Sequence, residues 1–497
     1  MRTSNYTIYV DLPDDPENVL LVHGYTGAYD RVSKKVANFV RSIESRKPFK
    51  PLYGSWSPEP VVDEAQHLDD EHVKVLMKRG YLTSKSEEEE AHFFEKITDN
   101  LHHFKSRKMP DYVIMPTYSC NLRCHYCFQD HMRTDPKLKP LLRVMSKAMV
   151  DRILGALPEF EQMHGLEPDS GLSRNFILFG GEPLLAESRD SVAYLMARGA
   201  EIGPLRVRAI SNCTDLHHYR DLLGPGKIDT IQVTLDGPSF EHDKRRIYAD
   251  GSGSWERIAE NIGMALALKV NISARMNVDR DNIYKLPQLA KEFVKYGWVE
   301  SPHFSSYVAP IHPSNDKTDK KACLNSYKVD LAIKELRTQF EEMKYIGSPS
   351  DGLHHQVMSM LAGKHSGPNL KTSFCGAHTS MYVLDAFGDI YTCWERTGDK
   401  KHRVGYINAD HSLTFEDERL KMWRDRTVVT NPTCKKCRFA FYCGGGCAVL
   451  AQNATGNYYT NYCDGFQNRF RATVAEAFVD FKGARDPAKV DAPMCEV

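Results

Sequence analysis

The spacing Cys120, Cys124, Cys127, a C-x3-C-x2-C pattern, restricts this chain more than any other feature. The apolar run Tyr112–Met115 comes just before it, and Pro116 with the polar residues that follow ends that run. The cysteines therefore belong to a loop at the end of a strand. In a helix the three would share one face, but their flanks read as loop. A loop can wrap three thiolates around one object, and thiolates select soft centres such as iron–sulfur clusters or zinc. A structural zinc site is closed by four ligands, and a cubane cluster takes one ligand per iron. Near the trio only His125 and His131 offer a fourth group. One corner is thus expected to stay open for a cofactor or substrate, and a zinc knuckle is the alternative.

With Tyr126 as the aromatic before the last cysteine, the motif resembles the signature of radical S-adenosylmethionine (AdoMet) enzymes. The resemblance implies a 4Fe–4S cluster on Cys120, Cys124 and Cys127. Its fourth iron would be chelated by the amino and carboxylate groups of AdoMet.

Length and charge bound the rest. At 497 residues, two to four domains with ample core are expected. Lys plus Arg equals Asp plus Glu at 65 each, so no basic field advertises nucleic acid. Residues 1–6 have no apolar character of a signal peptide, and no run approaches a membrane span. Cytoplasmic location is the expectation. The 13 cysteines then argue for metal or redox chemistry rather than disulfides. Three fall at 120–127 and seven between Cys375 and Cys463, with Cys213, Cys323 and Cys495 apart.

Residues 1–108 read as a small α+β unit. Tyr6–Val10 and Val19–Val22 are expected as strands, Tyr29–Ile43 as a helix on the spacing Val32, Val36, Phe39, Val40. A second helix is expected over Asp69–Lys78 with Gly80 as its cap, Tyr81–Leu82 as a wing strand, and a Glu-rich helix capped near Ser84–Ser86. Such winged-helix-like units resemble the peptide-recognition element of enzymes that modify ribosomally made peptides. There a leader peptide adds to a sheet edge. A structural cap on the next domain is the alternative.

In residues 109–310, six strand-like runs alternate with helical stretches: Tyr112–Met115, Phe176–Phe179, Val207–Ile210, Ile231–Leu235, Ile272–Met276 and His303–Val308. Such alternation predicts a parallel sheet with helices outside, here a partial (β/α)6 TIM-type barrel with its chemistry at the C-terminal strand ends. The strand ends carry motifs that resemble the same family. Gly180-Gly181-Glu182-Pro183 follows the second run, and in the family this turn binds the AdoMet ammonium group. Ser211 and Asn212 follow the third run, in reach of ribose or carboxylate, with Cys213 where a glycine is frequent. Thr234 ends the fourth and leads into Asp236-Gly237-Pro238, where Asp236 either orders the loop or meets substrate. Arg275 sits mid-strand in the fifth. A half-buried cation needs an anion, either the AdoMet carboxylate or an acid on a neighbouring strand. Tyr126 joins these as a cofactor contact.

Residues 311–370 read as a polar linker, Ile311–Lys321, followed by helices over Val329–Met343 and His354–Leu361. Cys323 stands alone there as an occasional extra ligand. In residues 371–497, Cys375, Gly388 and Cys393 precede Cys434-x2-Cys437-x5-Cys443-x3-Cys447 and Cys463. This matches the seven-cysteine SPASM extension, which resembles a cradle for two further 4Fe–4S clusters, three in all. The resemblance gives Cys434, Cys437, Cys443 and Cys463 to one cluster, and Cys375, Cys393 and Cys447 to the other. A zinc ribbon over Cys434–Cys447 is the alternative. Sulfatase-maturing relatives carry a further cysteine about where Asn369 stands, and a catalytic aspartate where Trp394 stands. Glu395 is adjacent but, on a strand, faces away. No catalytic base is assigned.

The resemblance implies an oxygen-sensitive enzyme. It would cleave AdoMet reductively, abstract hydrogen from a precursor peptide, and close a thioether or carbon–carbon (cyclophane-like) cross-link. A flavodoxin or ferredoxin would supply electrons. Formylglycine formation on a sulfatase is the competing activity. An iron–sulfur electron carrier or zinc scaffold is the competing non-enzyme.

Overall fold

Where the chain goes after its first two strands is decided by a third. In the computed structural model, which describes residues 1–46, 52–54, 68–167, 170–313, 315, 318–364 and 369–484, the chain forms two compact units. One comprises Met1–His102, Ser350–Phe374 and Arg426–Val497, the other His103–Pro349 and Cys375–Asp425. Cys495 and part of the 311–321 stretch lie outside the described residues.

The first unit holds a strand pair, β1 (Arg2–Thr3) with β5 (Leu82–Thr83), and a meander of β2 (Thr7–Asp11), β3 (Asn18–His23) and β4 (Tyr29–Ser33). Alternate residues of the meander bury in opposite directions. Ile8, Val10, Leu20 and Val22 pack with Phe470, Val474 and Phe478 of the helix Phe466–Ala484. Tyr9, Val19, Leu21 and Val32 pack with Val36, Val40 and Leu76 of two shorter helices. The helix expected over Tyr29–Ile43 is instead a strand followed by the helix Lys34–Ser42. Val32 pairs with Val19 in the sheet. Ser33 then adopts extended backbone, and its hydroxyl accepts from Val36 N at 3.3 Å, which starts the helix. Gly80, at φ +96°, caps the helix Asp70–Arg79 as expected. Ser86 and Glu89 exchange hydrogen bonds of 3.1 and 2.7 Å to open Glu87–Ser106 as a capping box.

One buried polar cluster ties this unit together. The Glu44 side chain is 1% exposed and pairs with Arg41 at 2.7 Å and Arg438 at 2.6 Å. It also accepts from the Tyr9 hydroxyl at 2.9 Å. Arg438 in turn donates to Thr7 O at 2.5 Å.

The second unit is built on one ten-stranded sheet. β6 (Asp111–Met115), β7 (Arg174–Leu178), β8 (Leu205–Ser211), β9 (Ile228–Thr234), β10 (Asn271–Val278) and β11 (Phe304–Pro310) run parallel in chain order. These are the six expected strands, and the fold is the expected partial barrel. β6 is buried along Tyr112–Met115, as a central parallel strand should be. β10 alternates instead: Ile272, Ala274, Met276 and Val278 are buried, while Ser273, Arg275 and Asn277 occupy the other, partly accessible face. Arg275 lies opposite Thr234 in the register, so polar residues of two strands share that face.

Beyond the expected barrel, β12 (Met381–Asp385) adds parallel to the free edge of β6, pairing Val383 with Val113. β13 (Asp389–Tyr391), β14 (Gly405–Ile407) and β15 (Leu413–Phe415) continue antiparallel. The segment around Cys375 and Cys393 therefore belongs to the barrel sheet. The chain from Arg426 onward belongs to the first unit.

Glu44→Ala is expected to remove the buried carboxylate that Arg41 and Arg438 share, at a cost of ~3–5 kcal/mol. In calorimetry the transition of the first unit should fall by roughly 10 °C, while that of the barrel unit stays in place.

Candidate active site

The cysteine loop is held by backbone contacts between two adjacent strand ends. Gly181 N donates to Thr117 O at 3.1 Å, and Glu182 N donates to Ser119 O at 2.7 Å. A Cβ on Gly181 would lie 2.2 Å from Ser119 O and 2.3 Å from Tyr118 O. One on Gly180, which sits at φ +146°, would lie 2.4 Å from Thr117 O. The two glycines are thus required by the close approach of the cysteine loop's own backbone.

Above this junction lies a cavity of about 240 Å³. Cys120, Cys124 and Cys127 line it together, with Gly180, Gly181, Glu182, Ser211, Asn212, Thr234, Arg275 and Tyr126. Those are the expected cofactor residues with one exception. Pro183 is buried and is not part of the cavity lining. His125 and His131 are exposed and do not line it either.

The polar groups of the cavity are strictly ordered. Both oxygens of Glu182 are engaged: Oε1 accepts from Ser211 Oγ at 2.7 Å and Leu184 N at 2.9 Å, and Oε2 from Asn212 N at 2.6 Å. Burial nevertheless pushes its carboxyl up to about 7, because no cation faces it to offset the lost water. Asn212 reaches Asn121 Oδ1 at 3.0 Å, which ties the third strand end to the cysteine loop. Cys213 is fully buried at φ +63° and its carbonyl accepts from Asn261 at 2.7 Å, so it is a turn residue.

Asp236 turns out to order its loop. It is fully buried, accepts from the Tyr126 hydroxyl, and accepts from Asn277 N at 3.1 Å. Tyr126 in turn accepts from Arg246 at 2.7 Å and Asn277 at 3.2 Å. Arg275 donates to Asn277 Oδ1 at 3.0 Å. Among the described residues no carboxylate stands within ion-pair distance of Arg275, so the neighbouring-strand acid offered as an alternative is not found.

Burial pushes the Cys120 thiol up to about 11 and the Cys124 thiol up to about 12. As free thiols they would be neutral at pH 7, and metal coordination would supply the charge that burial withholds. Three sulfurs, no fourth cysteine in the lining among the described residues and an ordered polar wall fit a cluster on Cys120, Cys124 and Cys127, with His312 also lining the cavity.

Ile311 and His312, from the stretch read as a linker, and Trp394 and Glu395 enter the cavity although the sequence placed them elsewhere. The strand ends at Tyr391, and Trp394–Arg396 is a single 3-10 turn. Both Trp394 and Glu395 therefore line the cavity. The Trp394 ring sits 5.4 Å from that of Phe179, just before the glycine pair. The expectation that Glu395 faces away rested on strand periodicity, and the turn removes it. The Glu395 carboxylate has no hydrogen-bond or ion-pair partner among the described residues. Burial raises its pKa, while the Arg396 and Arg275 charges oppose that rise.

A second cavity, also about 240 Å³, lies in the first unit and is lined by Cys434, Cys437, Cys443 and Cys463. Cys447 is not part of that lining, and Cys375 and Cys393 belong to the barrel unit. Arg46, Lys436, Arg438 and Arg471 line the same cavity and supply positive charge to the four sulfurs. Cys323 donates to Asp319 O at 3.4 Å and lines neither cavity. Among the described residues no three Cys, His, Asp or Glu side chains converge as ligands of a single metal ion. No described helix is long and apolar enough to cross a membrane.

Residues 114–292 match the Radical SAM superfamily. This segment is a radical SAM domain. The protein is accordingly an enzyme. Over 385 residues it is 23% identical to the cysteine-type anaerobic sulfatase-maturating enzyme of Clostridium novyi, covering 73% of this chain and 95% of that one. Over 351 residues it is 25% identical to the mycofactocin maturase MftC of Mycolicibacterium smegmatis, covering 68% and 78%. The solved structure of native anSMEcpe with bound AdoMet superposes with a TM-score of 0.54 at 16% identity, over 76% of this chain and all of that one. Its complex with AdoMet and the Cp18Cys peptide gives 0.51 at 18% identity, over 75% and 100%. These superpositions establish the fold.

Gly181→Ala is expected to cost ~2 kcal/mol, since backbone oxygens and not side chains stand in the way. Gly263→Ala, in open space on a helix, should be neutral or stabilising by up to ~1 kcal/mol. Paired thermal denaturation curves check both.

Proposed function

We propose that this radical SAM enzyme is a peptide maturase acting on a ribosomally made precursor. The cavity over Cys120, Cys124 and Cys127 carries the reading. It gathers three cysteine sulfurs with residues from the ends of β7, β8 and β9 and from within β10, while His125 and His131, the histidines nearest the trio in sequence, are exposed outside it. Cys120, Cys124 and Cys127 would hold a 4Fe–4S cluster, with AdoMet at the open corner. When bound, that pair supplies reductive cleavage of the sulfonium and a carbon radical able to take hydrogen from an unactivated position.

The protein's own residues then orient and exclude. The Glu182 carboxylate, fixed by three donors, is the natural acceptor for the ammonium group. Arg275, without a carboxylate of its own, is the natural partner for the carboxylate. Ser211, Asn212 and Thr234 shape the wall beside them. Trp394 and Glu395 line the same cavity and would face a peptide side chain that enters it. Trp394 offers an apolar surface and keeps water out, and Glu395 offers an uncommitted acceptor.

SPASM-type auxiliary clusters on Cys434, Cys437, Cys443 and Cys463, and on Cys375, Cys393 and Cys447, would bring the total to three and take up the surplus electron. A cytoplasmic flavodoxin or ferredoxin would deliver the first electron. The precursor's leader would add to the meander of the first unit. The bond formed would be an intramolecular thioether or carbon–carbon cross-link. The mycofactocin maturase relative supports a maturase activity, and the Cp18Cys peptide bound to the anSMEcpe fold neighbour supports a peptide as the substrate. Sulfatase maturation is the second reading, favoured by Glu395: a carboxylate does line the cavity, one residue beyond the position where Trp394 departs from those relatives.

Anaerobically reconstituted protein, given AdoMet and dithionite, is expected to release 5′-deoxyadenosine, and Cys120→Ala to release none. With its peptide, each event should remove two hydrogens and leave a ring-type fragmentation pattern. An aldehyde at one Cys or Ser would point to sulfatase maturation instead. Silence of the unaltered protein would overturn both.

A further inference from the structure

Arg133 makes the shorter of the two side-chain hydrogen bonds to the three sulfurs. It comes from the short helix Asp130–Thr134 and lines the cavity. Its Nη2 donates to Cys127 Sγ at 3.1 Å. Its Nε and Nη1 are buried and have no hydrogen-bond partner among the described residues. Each such orphaned N–H is unfavourable, and a buried cation needs an anion. The charges that favour it are, in order, those of Cys127 and Cys120, and only then Asp130 on its own helix.

Arg246, a second arginine lining the cavity whose charge acts on the trio, is balanced differently. Its field acts on Cys124. It donates to Tyr126 at 2.7 Å and lies 3.9 Å from the Asp236 carboxylate. Arg246 therefore has a protein counter-charge in place, whereas Arg133 is matched mainly by the cysteine sulfurs. A neutral thiol gives a guanidinium little. A thiolate cluster that gains one more negative charge gives it much more.

We propose that Arg133 is a positioning residue for electron uptake: its guanidinium is the counter-charge of the three-cysteine cluster and raises the cluster's reduction potential. The assignment rests on the reading of the cavity as a cluster site. The step is a single electron passing from a low-potential one-electron donor to the cluster, with no proton and no bond exchanged. The oxidised cluster becomes more negative by one unit, and the fixed positive charge beside Cys127 favours that product over the reactant.

The test is an EPR-monitored redox titration of the full-length, anaerobically reconstituted protein with dithionite, followed on the signal that added AdoMet perturbs. Arg133→Gln is expected to lower the equilibrium constant for reduction at least tenfold, ~59 mV for one electron, with iron content unchanged. Arg133→Lys, which keeps the charge, should recover most of that shift. Arg189→Gln, which removes a surface partner of Asp221, should leave the potential as it was. An unshifted potential in Arg133→Gln overturns the assignment alone. So does loss of iron in both Arg133 variants, which would mean that the side chain holds the loop and not the charge. Absence of any AdoMet-responsive signal in the unaltered protein overturns the cluster reading and the assignment with it.

Discussion

Everything in the barrel unit depends on how closely two backbones meet. The Gly180-Gly181 turn at the end of β7 lies against Thr117–Ser119 at the end of β6, with Cβ space refused by carbonyl oxygens at 2.2–2.4 Å. Parallel strands bring their C-terminal ends to one side of a sheet, but they do not by themselves lock two loops together. Here the hydrogen bonds from Gly181 and Glu182 do so. They fix the cysteine loop over the cavity and, through Glu182, fix Ser211 and Asn212 at the next strand end. One contact thus propagates across three strands.

A second network works from the opposite side. Tyr126, inside the cysteine motif, is held by Asp236, Arg246 and Asn277. Asp236 is buried with that duty, so the loop after β9 closes the cavity by anchoring the aromatic residue of the motif. The loop is therefore restrained at both ends of its cysteine spacing. Such double restraint suits a site that must present three sulfurs in fixed directions while leaving one direction free.

Much of this was legible in the sequence, for definite reasons. The six barrel strands announce themselves through apolar runs alternating with helical spacing, and cysteine spacing separates the sets at 120–127 and 434–463. The helix caps at Gly80 and Ser86 follow from local chemistry. What escaped has equally definite causes. Val32 fits the helical spacing of Val36 and Val40, but it also pairs with Val19 in a sheet, and tertiary pairing prevailed. β12 joins β6 across a long stretch of chain, and such pairing leaves no local mark. Glu395 was misplaced because period two was carried past Tyr391, where the strand stops and a 3-10 turn swings it into the cavity. Arg133 gave no signal at all, since a single basic residue in a short helix looks like surface until its neighbours are known.

The central claim is that the loop of Cys120, Cys124 and Cys127 holds a cluster whose remaining iron is free for the amino acid end of AdoMet. It is tested most directly by pulsed EPR on the reduced protein with AdoMet carrying oxygen-17 in its carboxylate and nitrogen-15 in its amino group. The account predicts hyperfine coupling from both labels to the cluster spin, abolished in Cys124→Ala. A reduced cluster on these three cysteines that couples to neither label would contradict it.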